Sequence, residues 1–217
     1  MAKIEDGASG AILAGVDAGS KALRVSPRPL DALGHYRFAG ATGNLSALVA
    51  NSEIFQFRWT DAQAVALLQF MRIRCTQLTA FTAAQEISLE LLGSTGFTVA
   101  GTGGTQSLPT AQSFKKLSAM PQSRANEIRI ATIGALGVGT RSLAPSPLLC
   151  HFGWAGGVGQ TVIDSTLDLT SSALEYPLVL QQNEGIAVRL GQLGMGAAGT
   201  LRVSVELAWA EIAATGF

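Results

Sequence analysis

The sequence predicts an all-β chain: a jelly-roll-like β-sandwich carrying an extended N-terminal arm. Three observations lead there. Residues 200–212, TLRVSVELAWAEI, alternate with period two, placing Leu201, Val203, Val205, Leu207 and Trp209 on one face and Arg202, Ser204, Glu206 and Ala208 on the other. Other short segments share that alternation and are separated by glycine-rich turn clusters, GSTG, GTGGTQS, GVG, GWAGGVG and GMGAAG. No unit of 20 to 50 residues repeats, which disfavours a propeller or solenoid and leaves a sandwich or jelly roll.

Taken in order, residues 1–30 mix Gly, Ala, Asp and Ser with isolated aliphatics and close on Pro27-Arg28-Pro29, the signature of an extended arm. Residues 31–217 then form the sandwich domain. In IFQFRWT, Ile54 to Thr60, Phe55, Phe57 and Trp59 share a face opposite Gln56 and Arg58. In FMRIRCT, Phe70 to Thr76, Met71, Ile73 and Cys75 oppose Arg72 and Arg74. ISLELL (87–92) and EIRIATI (127–133) supply further strands, and SSALEYPLVLQQ, GIAVRLGQL and the closing strand read as a C-terminal meander. About seven to ten strands are expected. The segment DAQAVALLQF, Asp61 to Phe70, is the best helix alternative, with Thr60 or Asp61 as N-cap, but it runs directly into the alternating FMRIRC. Thr82 to Glu86 could make one helical turn.

A chain of 217 residues can bury roughly 70% of its unfolded surface in one core, so no staple is required. Fifteen basic and fifteen acidic residues cancel, leaving no basic footprint of the kind that phosphate neutralisation demands, so nucleic acid is not expected as a direct partner. Only 14% of residues are charged and mean hydropathy is +0.31, values that point to apolar surface hidden in an obligate oligomer. Cys75 and Cys150 stand in apolar runs without metal or redox spacing and read as small buried hydrophobes, as expected of synthesis in a reducing cytosol. The start MAKIEDGASG has neither the basic nor the apolar region of a signal peptide. The uncharged stretch from Ser142 to Ile163 carries two prolines and four glycines, so it reads as loop and strand and no membrane span is expected.

Little in the chain offers chemistry. His35 and His151 lack a second ligand at metal spacing, and Asp164 and Asp168 lie four apart in a segment with turn character. The glycine runs at 101–107 and 134–140 lack the Gly-Lys-Ser/Thr end of a phosphate loop and read as hairpin glycines. No Gly-x-Ser-x-Gly elbow occurs. No catalytic, cofactor-binding or metal residue is therefore expected, and no enzyme. Trp59 and Trp209 lie on apolar faces. Trp154, in the loop HFGWAGG, is the candidate for a surface ligand or a subunit contact.

One resemblance spans nearly the whole chain. The succession of the arm IEDGASGAILAGVDAGSKALRVSPRP, GHYRFAGATG, IFQFRWTDA, LTAFTAAQEISLELL, RANEIRIATIGALGVGTRSL, YPLVLQQNEGIAVRL and VSVELAWAE resembles virion structural proteins of tailed bacteriophages. The resemblance rests on texture and short stretches. It implies a non-enzymatic β-sandwich protein of the virion, made in the bacterial host cytoplasm. The foremost expectation is a head decoration or cement protein that stabilises the capsid, with itself, as a homotrimer or other homo-oligomer, and the major capsid protein as partners. A tail fibre or spike component binding the host surface is the alternative, and a sugar-binding jelly-roll protein the third.

The arm carries Ile4, Ile12, Leu13, Val16, Leu23 and Val25, enough aliphatics to dock in a neighbour's groove, among too many glycines and alanines to fold alone. These six are the candidate subunit contacts. A chain beginning at Leu30 is predicted to keep the thermal transition of the full-length protein while losing self-assembly and virion binding in co-sedimentation. Unfolding of that shortened chain would instead assign the arm to the core.

Overall fold

A computed structural model describes residues 33–107, 114–116, 118–125, 127–156, 162–168, 178–196 and 198–214. They belong to one compact unit, Ala32–Phe217. Among them there is no α-helix. Among the described residues twelve strands form two antiparallel six-stranded sheets, rather than the seven to ten expected. Residues 1–32, and with them the arm and its six aliphatics, lie outside the described residues.

The first sheet runs in the order β1 (Gly34–Ala41), β12 (Thr200–Ala213), β4 (Ala64–Thr79), β10 (Val179–Leu180). In addition β2 (Leu45–Ser46) pairs with β12, and β9 (Val162–Asp168) with β4. The second runs β6 (Thr105–Ser107), β7 (Glu127–Ile130), β3 (Glu53–Trp59), β11 (Glu184–Leu190), β5 (Gln85–Val99), β8 (Thr140–Gly156). The alternating residues of β3 and β12 meet between the sheets. Phe55, Phe57, Trp59, Val203, Val205, Leu207 and Trp209 are all buried. The Phe57 and Trp209 rings lie 5.2 Å apart, and Phe38 of β1 meets Phe55 at 5.8 Å, so aromatic contacts join the layers.

Asp61 does carry a cap, but for a turn. Its Oδ1 accepts hydrogen bonds from the Gln63 and Ala64 N–H groups at 2.8 and 2.9 Å, and the chain leaves this turn extended as β4. DAQAVALLQF is therefore strand and not helix from Ala64 onward. Burial on both faces explains why it looks helical in sequence: Ala64, Ala66 and Leu68 enter the inter-sheet core, while Val65 and Leu67 join Ala210 and Ile212 in a smaller cluster on the opposite face. A bulge then resets the phase. Phe70 pairs with Ala208 but Leu68 with Trp209, leaving Gln69 as the extra residue. Beyond it Met71, Ile73 and Cys75 face the core that Ala66 and Leu68 face before it. Thr82 to Glu86 likewise makes no helical turn; it bends into the start of β5.

The closing strands are not a meander. β10, β11 and β12 alternate between the sheets, and the turn between β10 and β11 places Asn183 at φ 61°, a left-handed conformation that asparagine tolerates. Of the segment SSALEYPLVLQQ, residues 171–177 lie outside the described residues and only Val179–Leu180 pairs. HFGWAGG is not a loop either. Its residues 151–156 end β8, where Trp154 pairs with Ile87. Pro145 and Pro147 fall where the β5 register jumps from Leu148↔Leu92 to Leu143↔Ser94, on a strand at the sheet's edge, so neither missing N–H interrupts a ladder.

Phe57→Ala is predicted to lower the unfolding free energy by about 3–5 kcal/mol in equilibrium urea denaturation, because it empties a fully buried aromatic site between the sheets.

Candidate functional site

The outer face of the second sheet is where polar chemistry collects. Alternation places Gln56, Arg58 and Glu90 opposite the core, and a solvent-facing surface is expected there. Instead Glu53, Gln56, Ser88, Glu90, Ser94 and Glu127 are buried, and Arg58 is half-buried instead of reaching solvent. The cover comes from the glycine-rich loops. Gln56 Nε2 donates to the Gly137 carbonyl at 2.9 Å, and Arg58 Nη1 donates to the Thr98 carbonyl at 2.7 Å. The Leu136 N–H donates to the Glu53 carbonyl at 2.8 Å, while Phe97, fully buried, lies against Gly185. Gly101 is required here, since a Cβ would strike both the Gly137 carbonyl and the Gln56 amide.

Under this cover four arginines face three glutamates. Arg141 pairs with Glu53, their side chains 2% and 5% exposed; Arg189 pairs with Glu90 at 2.7 Å; Glu127 takes Arg58 at 3.2 Å and Arg129 at 2.7 Å. Gln56 Nε2 also donates to Glu53 Oε2 at 2.7 Å. Burial lifts the Glu53 carboxyl above its ordinary range although Arg141 and Gln56 pull it down, and burial lowers Arg141 although Glu53 supports its charge. Arg141 rests on the Phe97 ring, its guanidinium carbon 4.8 Å from the centroid. The satisfaction is incomplete: Arg141 Nε and Nη1, Arg58 Nε and Gln56 Oε1 are buried without a hydrogen-bond partner among the described residues. Every carboxylate of the cluster is engaged by a guanidinium, so the ion pairs link the strands, while Gln56 and Arg129 hold the loops through the Gly137 and Gly103 carbonyls.

A second buried carboxylate, Glu211 on β12, accepts from Ser123 Oγ at 2.6 Å, the Arg124 N–H at 3.0 Å and Trp209 Nε1 at 3.2 Å. Burial raises its pKa. Beside it, burial and the Glu211 charge push Tyr36 up to about 12, and its hydroxyl donates to the Pro121 carbonyl at 3.1 Å. These bonds tie the segment around Pro121–Ala125 to the end of the first sheet.

The sequence-predicted residues do not converge. Ile4, Ile12, Leu13, Val16, Leu23 and Val25 lie outside the described residues. Trp154 has its backbone in β8, and its side chain is outside what the structure describes. His35 Nδ1 lies 3.2 Å from Gln69 Nε2, whereas His151 stands opposite Glu90 on another sheet. Asp164 and Asp168 lie on strand β9 rather than in a turn, at register positions opposite Arg74 and Phe70. Cys75 is buried, its thiol pushed up to about 12 by burial, and Cys150 is half-buried; neither is joined in a disulfide. Among the described residues no group of three or more His, Cys, Asp or Glu is placed to hold a metal. No described helix is long and apolar enough to cross a membrane. Sequence reasoning missed Glu53, Arg141 and Arg189, whose partners are remote in the chain. The one available signal was Leu92, an aliphatic on the face that alternation assigns to solvent.

Fold and site together define an antiparallel two-sheet β protein with an ion-paired, loop-covered outer face. No family model matches the chain, and no curated protein matches it.

Arg141→Met is predicted to cost about 3–5 kcal/mol in urea denaturation, because it strands the buried Glu53 charge. Combining it with Glu53→Leu should restore most of that loss, since an apolar pair needs no desolvation.

Proposed function

We propose that this chain is a non-enzymatic structural protein of a tailed-phage virion, foremost a head decoration protein that cements capsid subunits. In this reading a jelly-roll-like sandwich sits on the shell and residues 1–30 reach a neighbouring subunit. The observation that carries it is a group of three uncharged loops at one end of the sandwich. The Met195 N–H donates to the Leu48 carbonyl, the Asn51 N–H to the Gly191 carbonyl and the Gly43 N–H to the Ala131 carbonyl, so residues 42–52, 131–136 and 191–196 lie side by side. Their tips hold Val49 at 72%, Ile133 at 80% and Leu193 at 55% exposure. Neighbouring loops that present aliphatics to water without one charge among them favour attachment to another protein surface over catalysis or nucleic-acid binding. The resemblance of the chain's segments to phage virion proteins supplies the setting.

Two measurements on purified virions test this. Quantitative gel densitometry is predicted to give copies on the order of hundreds per particle, as a decorated shell requires, whereas about a dozen would transfer the protein to the tail. Ile133→Asp combined with Val49→Asp should leave the thermal transition within a few degrees of the wild type yet abolish binding to undecorated particles. Undiminished binding would overturn the loop end as the attachment surface.

A further inference from the structure

We propose, on the reading that residues 1–30 reach another subunit, that the outer face of the first sheet is the seat of the acidic half of a neighbouring copy's arm, residues 4–17. Four exposed arginines stand on three adjacent strands of that face: Arg37 of β1, Arg72 and Arg74 of β4, and Arg202 of β12. Glu206 is the one acidic side chain described on the same face of these strands. In register Arg72 stands opposite Glu206 and Arg74 opposite Ser204, and a cavity of about 160 Å³ opens between the four side chains. Across β12, Ala39 and Ala41 of β1 hold the positions opposite Glu206 and Ser204, so the surface beside the arginines is low. On the other side β9 bounds the strip, with Asp164 and Asp168 in register opposite Arg74 and Phe70.

The arm carries the matching charge in one stretch. Residues 4–17, IEDGASGAILAGVD, hold Glu5, Asp6 and Asp17 and no lysine or arginine, whereas residues 18–30 hold Lys21, Arg24 and Arg28 and no acid. That basic half is the one nearer the root, where the Leu33 N–H donates to the Glu211 carbonyl at 2.6 Å beside the edge strand of the same sheet. Like charge therefore disfavours the return of an arm to its own arginine face. The acidic half follows a tether, residues 18–32, whose extended length of roughly 50 Å is enough to meet another copy's face. Guanidinium forks take carboxylates in paired hydrogen bonds, and the cavity beside Arg74 and Ser204 gives one such carboxylate a seat. The glycines and alanines between the acids keep the segment thin enough to lie along a sheet face.

Sedimentation velocity on full-length chains tests this. The wild type is expected to self-associate, and either Glu5→Lys/Asp6→Lys or Arg72→Glu/Arg74→Glu to weaken that association about tenfold or more, the thermal transition of the arm variant staying unchanged. Mixed in equal amounts, the two variants should associate with one another, because each arm then meets a face of opposite sign on the other chain. Raising sodium chloride from about 50 to about 500 mM should weaken the wild-type association. A monomeric wild type, an arm reversal that leaves association intact, or variants that stay apart when mixed would overturn the proposal. Should the face variant fail to fold, the arm variant and the salt series decide. Virion binding by the loop-tip variant is read on particles and this association in their absence, so failure of the decoration reading and failure of the arm seat are told apart.

Discussion

The contact between the Phe57 and Trp209 rings is the point on which the two layers depend. Each residue stands near the middle of its sheet, β3 between β7 and β11, β12 between β1 and β4. Tyr36 stacks on Trp209 from the neighbouring strand at 5.9 Å and Trp59 meets Phe57 edge-on at 6.4 Å, so the aromatic contact continues sideways along each sheet as well as across the gap. Large rigid rings cover much area with little rotameric freedom to lose, which suits them to join two sheets whose strands do not pair with one another. Trp209 Nε1 and the Tyr36 hydroxyl need acceptors once buried, and they find them in Glu211 and Pro121. The polar fittings at that end of the sandwich are thus a consequence of its aromatic middle.

The layer that faces inward was legible in the sequence because alternation reports burial on one side of a strand. β3, β12 and the second half of β4 follow it residue by residue. It failed where both faces are buried. In β4 before Gln69, Val65 and Leu67 are as hidden as Ala66 and Leu68, so no period is left to read and helix formers dominate the impression. It failed again on the outer face of the second sheet, where a covered glutamate and a solvent-facing one look alike in sequence. Arg141 and Glu53 are 88 residues apart, and nothing local to either marks the other as its partner. Connection order escaped too: β10, β11 and β12 look consecutive but alternate between layers, a choice made by one left-handed asparagine and by which face needed filling.

The charged cluster and the uncharged loop end are distinct features of the sandwich. In the cluster Arg58 and Arg129 donate to the Thr98 and Gly103 carbonyls, while the exposed loop tips carry Val49, Ile133 and Leu193 without a charge among them. With so few charges in the chain, this allocation leaves one end apolar without raising the net charge of the whole, which stays at +0. Assembly through such an end meets no long-range repulsion and needs no counter-charge on the receiving surface.

The prolines of β8 bear on a different matter, the growth of filaments. β8 is 17 residues long and lies at the end of its sheet's strand order, and a strand of that length is a template onto which another copy's edge could add, and another after it, without limit. Pro145 and Pro147 interrupt the row of donors in its middle and coincide with a jump in register, so an incoming strand would find two short, misaligned halves. A chain with so long an edge strand has reason to terminate such one-dimensional polymerisation, and here two residues without an N–H do so.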